Sequence, residues 1–342
     1  MGESNATMHG FNANDVTAND VTVVVVPRER FSHALASLES IQQNTDGPFE
    51  LIYIDGHGPP ELARELERRA AAGPFRLIRS DHYLSPNAAR NLALPHVTTK
   101  YLAFVDNDVI VTPGWLGALV ACAEEHGCTA VCPLTFEDEA FSVVHHAGGE
   151  LLWRSMGEGR RWLTERRPWN HLPLVKVKEP LVAGPTELNE FHCVLVRTDF
   201  FAQNGPLDEG LLSMAEETDF SIAVAQSGGS MVFEPASRVS YIPPSPDNLL
   251  PSDKPFFELR WSSDWVRRSV DHMVAKHNLD PVSPVAKHWL RFVFQHRHAC
   301  ATGSRTMPAM DILFGDFGST LGKREKYDQL LRRLSTASQR GG

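Results

Sequence analysis

The 342-residue sequence predicts an α/β fold, a mostly parallel sheet with helices on both faces followed by a helical C-terminal region. Three observations lead there. Val21–Val26 is an unbroken β-branched run ended by Pro27, as suits a strand buried on both faces. Strand-like runs at Val21–Val26, Phe49–Ile54, Phe75–Ile78 and Tyr101–Val111 alternate with helical patterns, giving β-α-β-α-β-α-β. Finally, Asp55, Asp106 and Asp108 fall at carboxyl ends of these strands, outside which ligands of such sheets lie.

The length calls for one large domain with an elaboration, or for two domains. An apolar content of 42% is enough for a core, and a net charge of −9 makes a nucleic-acid backbone a poor partner. The five cysteines are odd in number and lack a C-x-x-C pair. That argues against a disulfide framework or a zinc site and for buried reduced thiols. No run approaches the roughly 18 apolar residues of a spanning helix. The N-terminus lacks a basic region followed by an apolar one, so the expected location is the cytoplasm.

In order, residues 1–20 are polar and Asn-rich and read as a disordered leader. After the first strand, Ser32 is placed to cap a helix running through Leu35, Leu38 and Ile41 to Asn44. Asp46-Gly47-Pro48 turns into the second strand, which ends at Asp55-Gly56. Pro60 opens a helix stopped by Gly73-Pro74, and Ser85-Pro86 pairs an N-cap with a first-turn proline ahead of Asn87, Arg90 and Asn91. Tyr101–Val111 then carries Asp106 and Asp108 to its end. Strand alternation puts both carboxylates on one side, where they can share a divalent cation and through it neutralise a diphosphate.

Beyond Pro113, a helix over Trp115–His126 precedes a strand at Ala130–Leu134. From Glu137 the periodicity fades while Trp, Arg, His and Gly accumulate, so residues 137–189 read as a functional insertion on the acceptor side. A strand at Phe191–Val196, helices at Thr198–Asn204 and Ala215–Gln226, and a strand at Met231–Phe233 complete a domain over 21–242. Pro243–Pro255 reads as a linker. Helical patterns at Phe256–Asn278, Pro284–His298 and Lys323–Leu334 make 243–342 a helical region without a catalytic signature, and a candidate homodimer surface.

Several of these pieces form an ordered set. Val23-Val24-Val25-Val26-Pro27 is followed by Tyr53-Ile54-Asp55-Gly56, Ala89-Arg90-Asn91, Asp106-Asn107-Asp108 and Pro113-Gly114-Trp115-Leu116. Farther on stand Gly205-Pro206-Leu207-Asp208-Glu209 and Glu216-Glu217-Thr218-Asp219-Phe220. Together, over about residues 21–242, they resemble glycosyltransferase family 2, enzymes of the GT-A fold that use nucleotide-diphosphate sugars. Asp106-Asn107-Asp108 is similar to the family's Asp-x-Asp metal motif, and Glu216–Phe220 to its Glu-Asp-x-Asp-Leu.

The resemblance implies a hexosyltransferase-type enzyme that moves a sugar to an acceptor hydroxyl by an inverting single displacement, assisted by Mg²⁺ or Mn²⁺. It implies that Pro27, Arg28, Glu29, Asp55, Arg90, Asp106, Asn107 and Asp108 hold the donor, with Asp108 and Asp106 as metal ligands. Asp55, an ionised acceptor, favours a UDP- or dTDP-sugar, with GDP open. Glu217, with Glu216 as fallback, takes the acceptor proton. Arg90 either braces Asp55 or a phosphate, or only pairs with a neighbouring acid on the surface.

On the acceptor side stand Trp153, Trp162, His145, His146 and Asp219, with Arg154, Arg160, Arg161, Arg166 and Arg167 forming a basic loop suited to a diphosphate. The indoles pack on sugar rings or simply anchor the insertion. There are two departures from the family pattern. Glu217 stands where relatives carry Asp, and Arg238–Ile242 lacks the His that many relatives give to the metal. They keep alive a catalytically silent sugar-nucleotide or glycan-binding protein. A nucleotidyltransferase is disfavoured, because Pro27-Arg28-Glu29-Arg30 has no glycine-rich loop. The acceptor has no readable code in the sequence.

Overall fold

A computed structural model describes residues 20–73 and 75–303. Its first half follows the expected alternation: β1 (Val21–Val26), α1 (Ala34–Asn44), β2 (Glu50–Asp55), α2 (Pro60–Ala72), β3 (Arg76–Arg79), α3 (Pro86–Ala93) and β4 (Tyr101–Asp106). The four strands lie parallel in the order β3-β2-β1-β4. Within β1 the side chains divide by alternation. Val21, Val23 and Val25 pack with Leu38 of α1 and Leu66 of α2, whereas Val24 and Val26 pack with Ala89 of α3 on the opposite face. That two-sided burial is the reason the run contains no polar residue except Thr22.

The stretch Tyr101–Val111 is two strands, a correction to its reading as one. The β4 strand ends at Asp106, Asn107-Asp108 form a turn, and β5 (Val109–Val111) leaves the parallel sheet. A turn therefore places Asp108, and strand alternation does not relate it to Asp106. After α4 (Trp115–His126) come β6 (Ala130–Phe136), β7 (Val143–His146), β8 (Glu150–Gly157), β9 (Arg160–Arg166), β10 (Leu172–Pro173), β11 (Gly184–Thr186) and β12 (Cys193–Arg197). The β12 strand inserts antiparallel between β4 and β6. Helices α5 (Asp199–Asn204) and α6 (Glu216–Gln226) lead to β13 (Met231–Tyr241), which pairs with β5, β6 and β11.

The regular structure of the insertion is mostly strand. Its periodicity is weak because the β8–β9 ribbon buries little beyond Leu151 and Leu163. All five cysteines are buried and unpaired, and among the described residues no helix is long and apolar enough to cross a membrane.

Residues 243–303 carry α7 (Lys254–Arg260), α8 (Ser263–Lys276) and α9 (Pro284–Thr302). The helix expected over Phe256–Asn278 is broken at Trp261-Ser262, where the Ser262 hydroxyl accepts from Trp265 N at 3.2 Å and restarts the helix as α8. The helix expected at Lys323–Leu334, and nearly all of the leader, lie outside the described residues.

The proline-rich segment is bound across the loop that follows β1. Asp253 Oδ1 accepts from Phe31 N at 2.8 Å and Ser32 N at 3.0 Å, and Arg30 donates to Asn248 Oδ1 at 2.8 Å. Ser32 gives its hydroxyl to Asn248 O at 3.4 Å in place of capping α1, which begins two residues later. Phe256 stacks on Phe31 and Tyr83, with ring centroids 5.1 and 5.3 Å away.

One carboxylate fastens the C-terminal helices to the sheet. Glu29 is fully buried and accepts from the Tyr241 hydroxyl (2.5 Å) and Trp261 Nε1 (2.6 Å), with His296 Nε2 at 2.7 Å. Against the cost of burial, Cys300 and Glu29 raise His296 to about 10. Removing a buried carboxylate leaves its partners unmet, so Glu29→Ala is expected to destabilise the fold by about 3–5 kcal/mol in urea denaturation. The raised His296 pKa adds stability that is complete below the unfolded value of about 6.5 and is lost as pH rises through about 10. The stability of His296→Gln should change less between pH 6 and 10 than that of the parent.

Candidate active site

The carboxyl ends of β1, β2 and β4 gather the charged residues singled out from the sequence. Asp106, the last residue of β4, accepts from Arg90 Nη2 at 2.9 Å. Its second oxygen lies 3.6 Å from Arg28 Nη1 and 3.3 Å from His192 Nδ1. Against burial, this surround holds Asp106 below the usual carboxylate range. Arg90 pairs with a buried acid of the Asp-x-Asp triplet and not with Asp55 or a surface acid, and its guanidinium lies over the Phe191 ring at 4.0 Å.

Asp55 is braced by Arg79 at 3.1 Å and accepts from Gly58 N at 2.7 Å. Pro27 packs against Gly56, where a Cβ would come within 2.6 Å of Pro27 Cγ. Asn107 ties down the loop after β1, accepting from Arg28 N at 3.2 Å and donating to Arg30 O at 2.8 Å.

Asp108 differs from its neighbours. It is completely buried, and neither carboxylate oxygen accepts a hydrogen bond among the described residues. The nearest cation is Arg30 Nε at 4.0 Å. Burial, with Arg30 only partly opposing it, raises Asp108 to about 8. Ligand atoms of Asp106, Asp108 and His192 all lie within 4.8 Å of one another. An unsatisfied buried carboxylate beside a second acid and an imidazole fits a divalent cation.

His192 thus brings to these two acids an imidazole of the kind that Arg238–Ile242 lacks. Burial and Arg28 lower it to about 4, leaving a neutral ring stacked on Tyr241 with centroids 4.0 Å apart. Sequence order hides it. Only the antiparallel pairing of β12 with β4, which sets Asp106 N against His192 O at 3.0 Å, brings the two side chains together.

A cavity leads away from Asp106 and has Arg28, Arg90, Glu190, Glu216, Glu217 and Arg167 in its walls. Glu216 and Glu217 open α6 from Ala215, whose left-handed backbone (φ 72°) turns the chain into the helix. Glu216 is held by Arg260 at 2.7 Å. Glu217 is looser, 3.5 Å from Arg167 Nη2. Burial, Glu216 and Glu190 push Glu217 up to about 8, with Arg167 opposing. Glu190 accepts from Arg167 at 2.8 Å, and against burial His145, His192 and Arg167 hold it well below the usual carboxylate range.

The other expected residues are distributed differently. Of the His pair, His145 lines the cavity and His146 is buried elsewhere. Trp153 and Trp162 lie outside it on the β8–β9 ribbon, Trp153 under the Arg161 guanidinium at 4.4 Å. Of the insertion's five arginines, Arg167 alone lines the cavity; Arg160 and Arg166 pair with Glu158 and Glu150 along the ribbon. Asp219 is also absent from the cavity wall, because its carboxylate binds Lys276 at 2.8 Å and His277 at 2.7 Å of α8 and the turn after it. The Glu29 carboxylate is consumed by Tyr241, Trp261 and His296. The aromatic surface of the cavity comes instead from Phe191 and from Trp261, Trp289 and Phe292 of the C-terminal region, which showed no catalytic signature in sequence.

Residues 22–175 match the model of a family described as glycosyl transferase family 2. The chain is 26% identical over 241 residues to N-acetylgalactosaminyltransferase 6 of Drosophila melanogaster, covering 68% of this chain and 35% of that protein. It is 28% identical over 170 residues to the putative inactive polypeptide N-acetylgalactosaminyltransferase 12 of the same species, covering 47% of this chain and 28% of that protein. The chain thus spans about a third of the length of the curated relatives it matches.

Among solved structures, it is similar to GalNAc-T7 with UDP, GalNAc and Mn²⁺, with a TM-score of 0.55, 20% identity, and coverage of 76% of this chain and 48% of that one. It is also similar to S. aureus TarS 1–349 in complex with UDP-GlcNAc, with a TM-score of 0.51, 14% identity, and coverage of 82% and 73%. The architecture is that of the GT-A fold.

Without a cation beside it, charging buried Asp108 opposes folding. Its folded pKa of about 8 exceeds the ordinary 3.8, so this penalty grows as pH rises from about 4 and is complete above about 8. In EDTA at pH 8, Asp108→Asn is expected to raise Tm by about 2–4 °C, with the gain vanishing near pH 4, as measured by thermal denaturation.

Proposed function

Starting from a glycosyl transferase family 2 segment over residues 22–175 on a GT-A fold, we propose that this protein moves a sugar from a nucleotide-diphosphate sugar to an acceptor hydroxyl. The observation that carries the reading is the unsatisfied carboxylate of Asp108. It lies beside Asp106 and His192, and Asp106 lines a cavity whose wall also holds Glu217.

Asp108, Asp106 and His192 are the residues to hold Mg²⁺ or Mn²⁺, which when bound supplies Lewis-acid neutralisation of a departing diphosphate. Arg28 and Arg90, both in the cavity wall, add fixed positive charge on the same side. Asp55 offers a carboxylate to the N–H of a uracil or thymine ring. The relatives' names, and the UDP and UDP-GlcNAc of the structural neighbours, make a UDP-N-acetylhexosamine the first donor to test.

Glu217 is the proposed base. A carboxylate raised to about 8 is matched to taking a proton from a hydroxyl near neutral pH. As the acceptor oxygen bonds to the anomeric carbon, the bond to the diphosphate oxygen breaks and the proton passes to Glu217, giving one displacement with inversion. Glu216, fixed by Arg260, lies beside Glu217 and helps hold that pKa up. Trp289 and Phe292 offer apolar faces to a sugar-bearing acceptor.

A second reading, a silent sugar-nucleotide binder, is favoured by the fact that Arg90, Arg28 and His192 already surround Asp106. Turnover separates the two readings. Incubation with UDP-sugars and Mn²⁺ should release UDP, whereas the silent binder gives a thermal shift without release.

With UDP and Mn²⁺, Tm should rise, and Asp108→Ala should remove the Mn²⁺-dependent part. An unchanged shift in that variant would overturn the metal assignment. Glu217→Gln should lower kcat about 10²–10⁴-fold with donor Kd unchanged, and the parent rate should rise as pH increases through about 8. Parental turnover in Glu217→Gln would exclude Glu217 as the base.

A further inference from the structure

We propose a second metal site in the chain, formed by Glu137, His145 and His171 and suited to a transition metal of the zinc class. Three neighbouring pieces of backbone assemble it. Glu137 follows the last residue of β6, His145 sits on the antiparallel neighbour β7, and His171 immediately precedes β10, which pairs with β7. His171 N donates to Val144 O at 2.7 Å, locking the last piece in register.

The side chains converge. His171 Nδ1 lies 3.0 and 2.9 Å from the two Glu137 oxygens, and His145 Nδ1 lies 3.3 Å from Glu137 Oε2. One ligand atom from each residue falls within 4.8 Å of the other two.

Two imidazoles and one carboxylate are a ligand set that zinc takes with a fourth position open. Oxygen-seeking Mg²⁺ is matched less well by two nitrogens, which separates this cluster from the acid-rich site at Asp108. A further feature points the same way. His145 Nε2 faces Glu190 Oε2 at 3.8 Å, placing a carboxylate behind the ligating ring as metal-bound imidazoles commonly have. Glu190 is itself fixed by Arg167 at 2.8 Å.

Access is also provided. The Glu137 side chain is 3% exposed and that of His145 13%, but His171 is 48% exposed and opens the cluster to solvent. In sequence, His145 and His146 stood only as acceptor-side residues. The fold supplies Glu137 eight residues upstream, and uses only the first histidine of the pair. The site sits beside the proposed base, since Arg167 bridges Glu190 to Glu217 at 3.5 Å. The site does not depend on the glycosyl-transfer reading.

The test is titration of the full chain with Co²⁺ as a spectroscopic stand-in for Zn²⁺. The expected result is a visible d–d absorption of a four-coordinate ion that is reversed by Zn²⁺, is retained in Asp108→Ala and saturates there at one equivalent. His171→Ala and Glu137→Gln should abolish the band, and Glu190→Gln should weaken binding about 10- to 100-fold. Far-UV circular dichroism checks each variant, and His171→Gln replaces any His171→Ala that fails to fold. A band unchanged in both His171 and Glu137 variants would overturn the proposal. So would a band lost in Asp108→Ala alone, and so would no Co²⁺ binding, which would leave the cluster a hydrogen-bonded network.

Discussion

A carboxylate taken out of water must meet donors or cations, and the organisation of this molecule follows from how that demand is answered around β1 and β4. Glu29 is answered by three groups from β13, the end of α7 and α9, so the requirement of one buried charge joins the C-terminal helices to the sheet. Asp106 is answered by Arg90 and Arg28 beside His192. Asp108 is not answered, apart from Arg30 at 4.0 Å. Three acids within an eighty-residue span therefore have three different fates: a structural clamp, a balanced charge, and an unmatched one available to a cation.

The same logic distributes the acids of the cavity. Arg260 takes Glu216 and Arg167 takes Glu190, leaving Glu217 less compensated and its proton affinity raised. Both arginines come from segments outside the parallel half of the sheet. The helical region and the insertion thus set the chemistry of residues carried by the core fold, which agrees with the general finding that a fold provides a frame and the site is built upon it.

Much of the frame was legible in the sequence, because its signals are local. The β-branched run of β1, the Ser85-Pro86 start of α3 and the alternation through β4 depend on neighbours a few residues away, and the structure keeps them. Where a feature depends on distant partners, the sequence was silent or misleading. His192 meets Asp106 only through strand pairing, and Glu137 meets His171 only because β7 lies between β6 and β10. Trp153 and Trp162 had the composition of a sugar platform but sit on a ribbon, while Trp289 and Phe292, in a helix with no motif, face the cavity. Asp219 had the spacing of a family motif, yet Lys276 and His277 claim it. Spacing reports which side chains share an element; it does not report which element will lie opposite.

The stack of Phe256 on Phe31 and Tyr83 bears on how any binding constant for this protein should be read. The segment it anchors is bonded through Asp253 and Asn248 to the loop after β1, whose Arg30 is the residue facing Asp108, and neither Asp55 nor Asp108 lines the cavity. Were a ligand to reach Asp108 only by parting that clasp, its measured affinity would be its intrinsic affinity multiplied by the fraction of molecules standing open. Each 1.4 kcal/mol favouring the closed arrangement weakens the observed constant about tenfold without altering a single ligand contact. Loosening the clasp at a distance would then tighten binding, and ranking variants by affinity alone would credit the wrong residues.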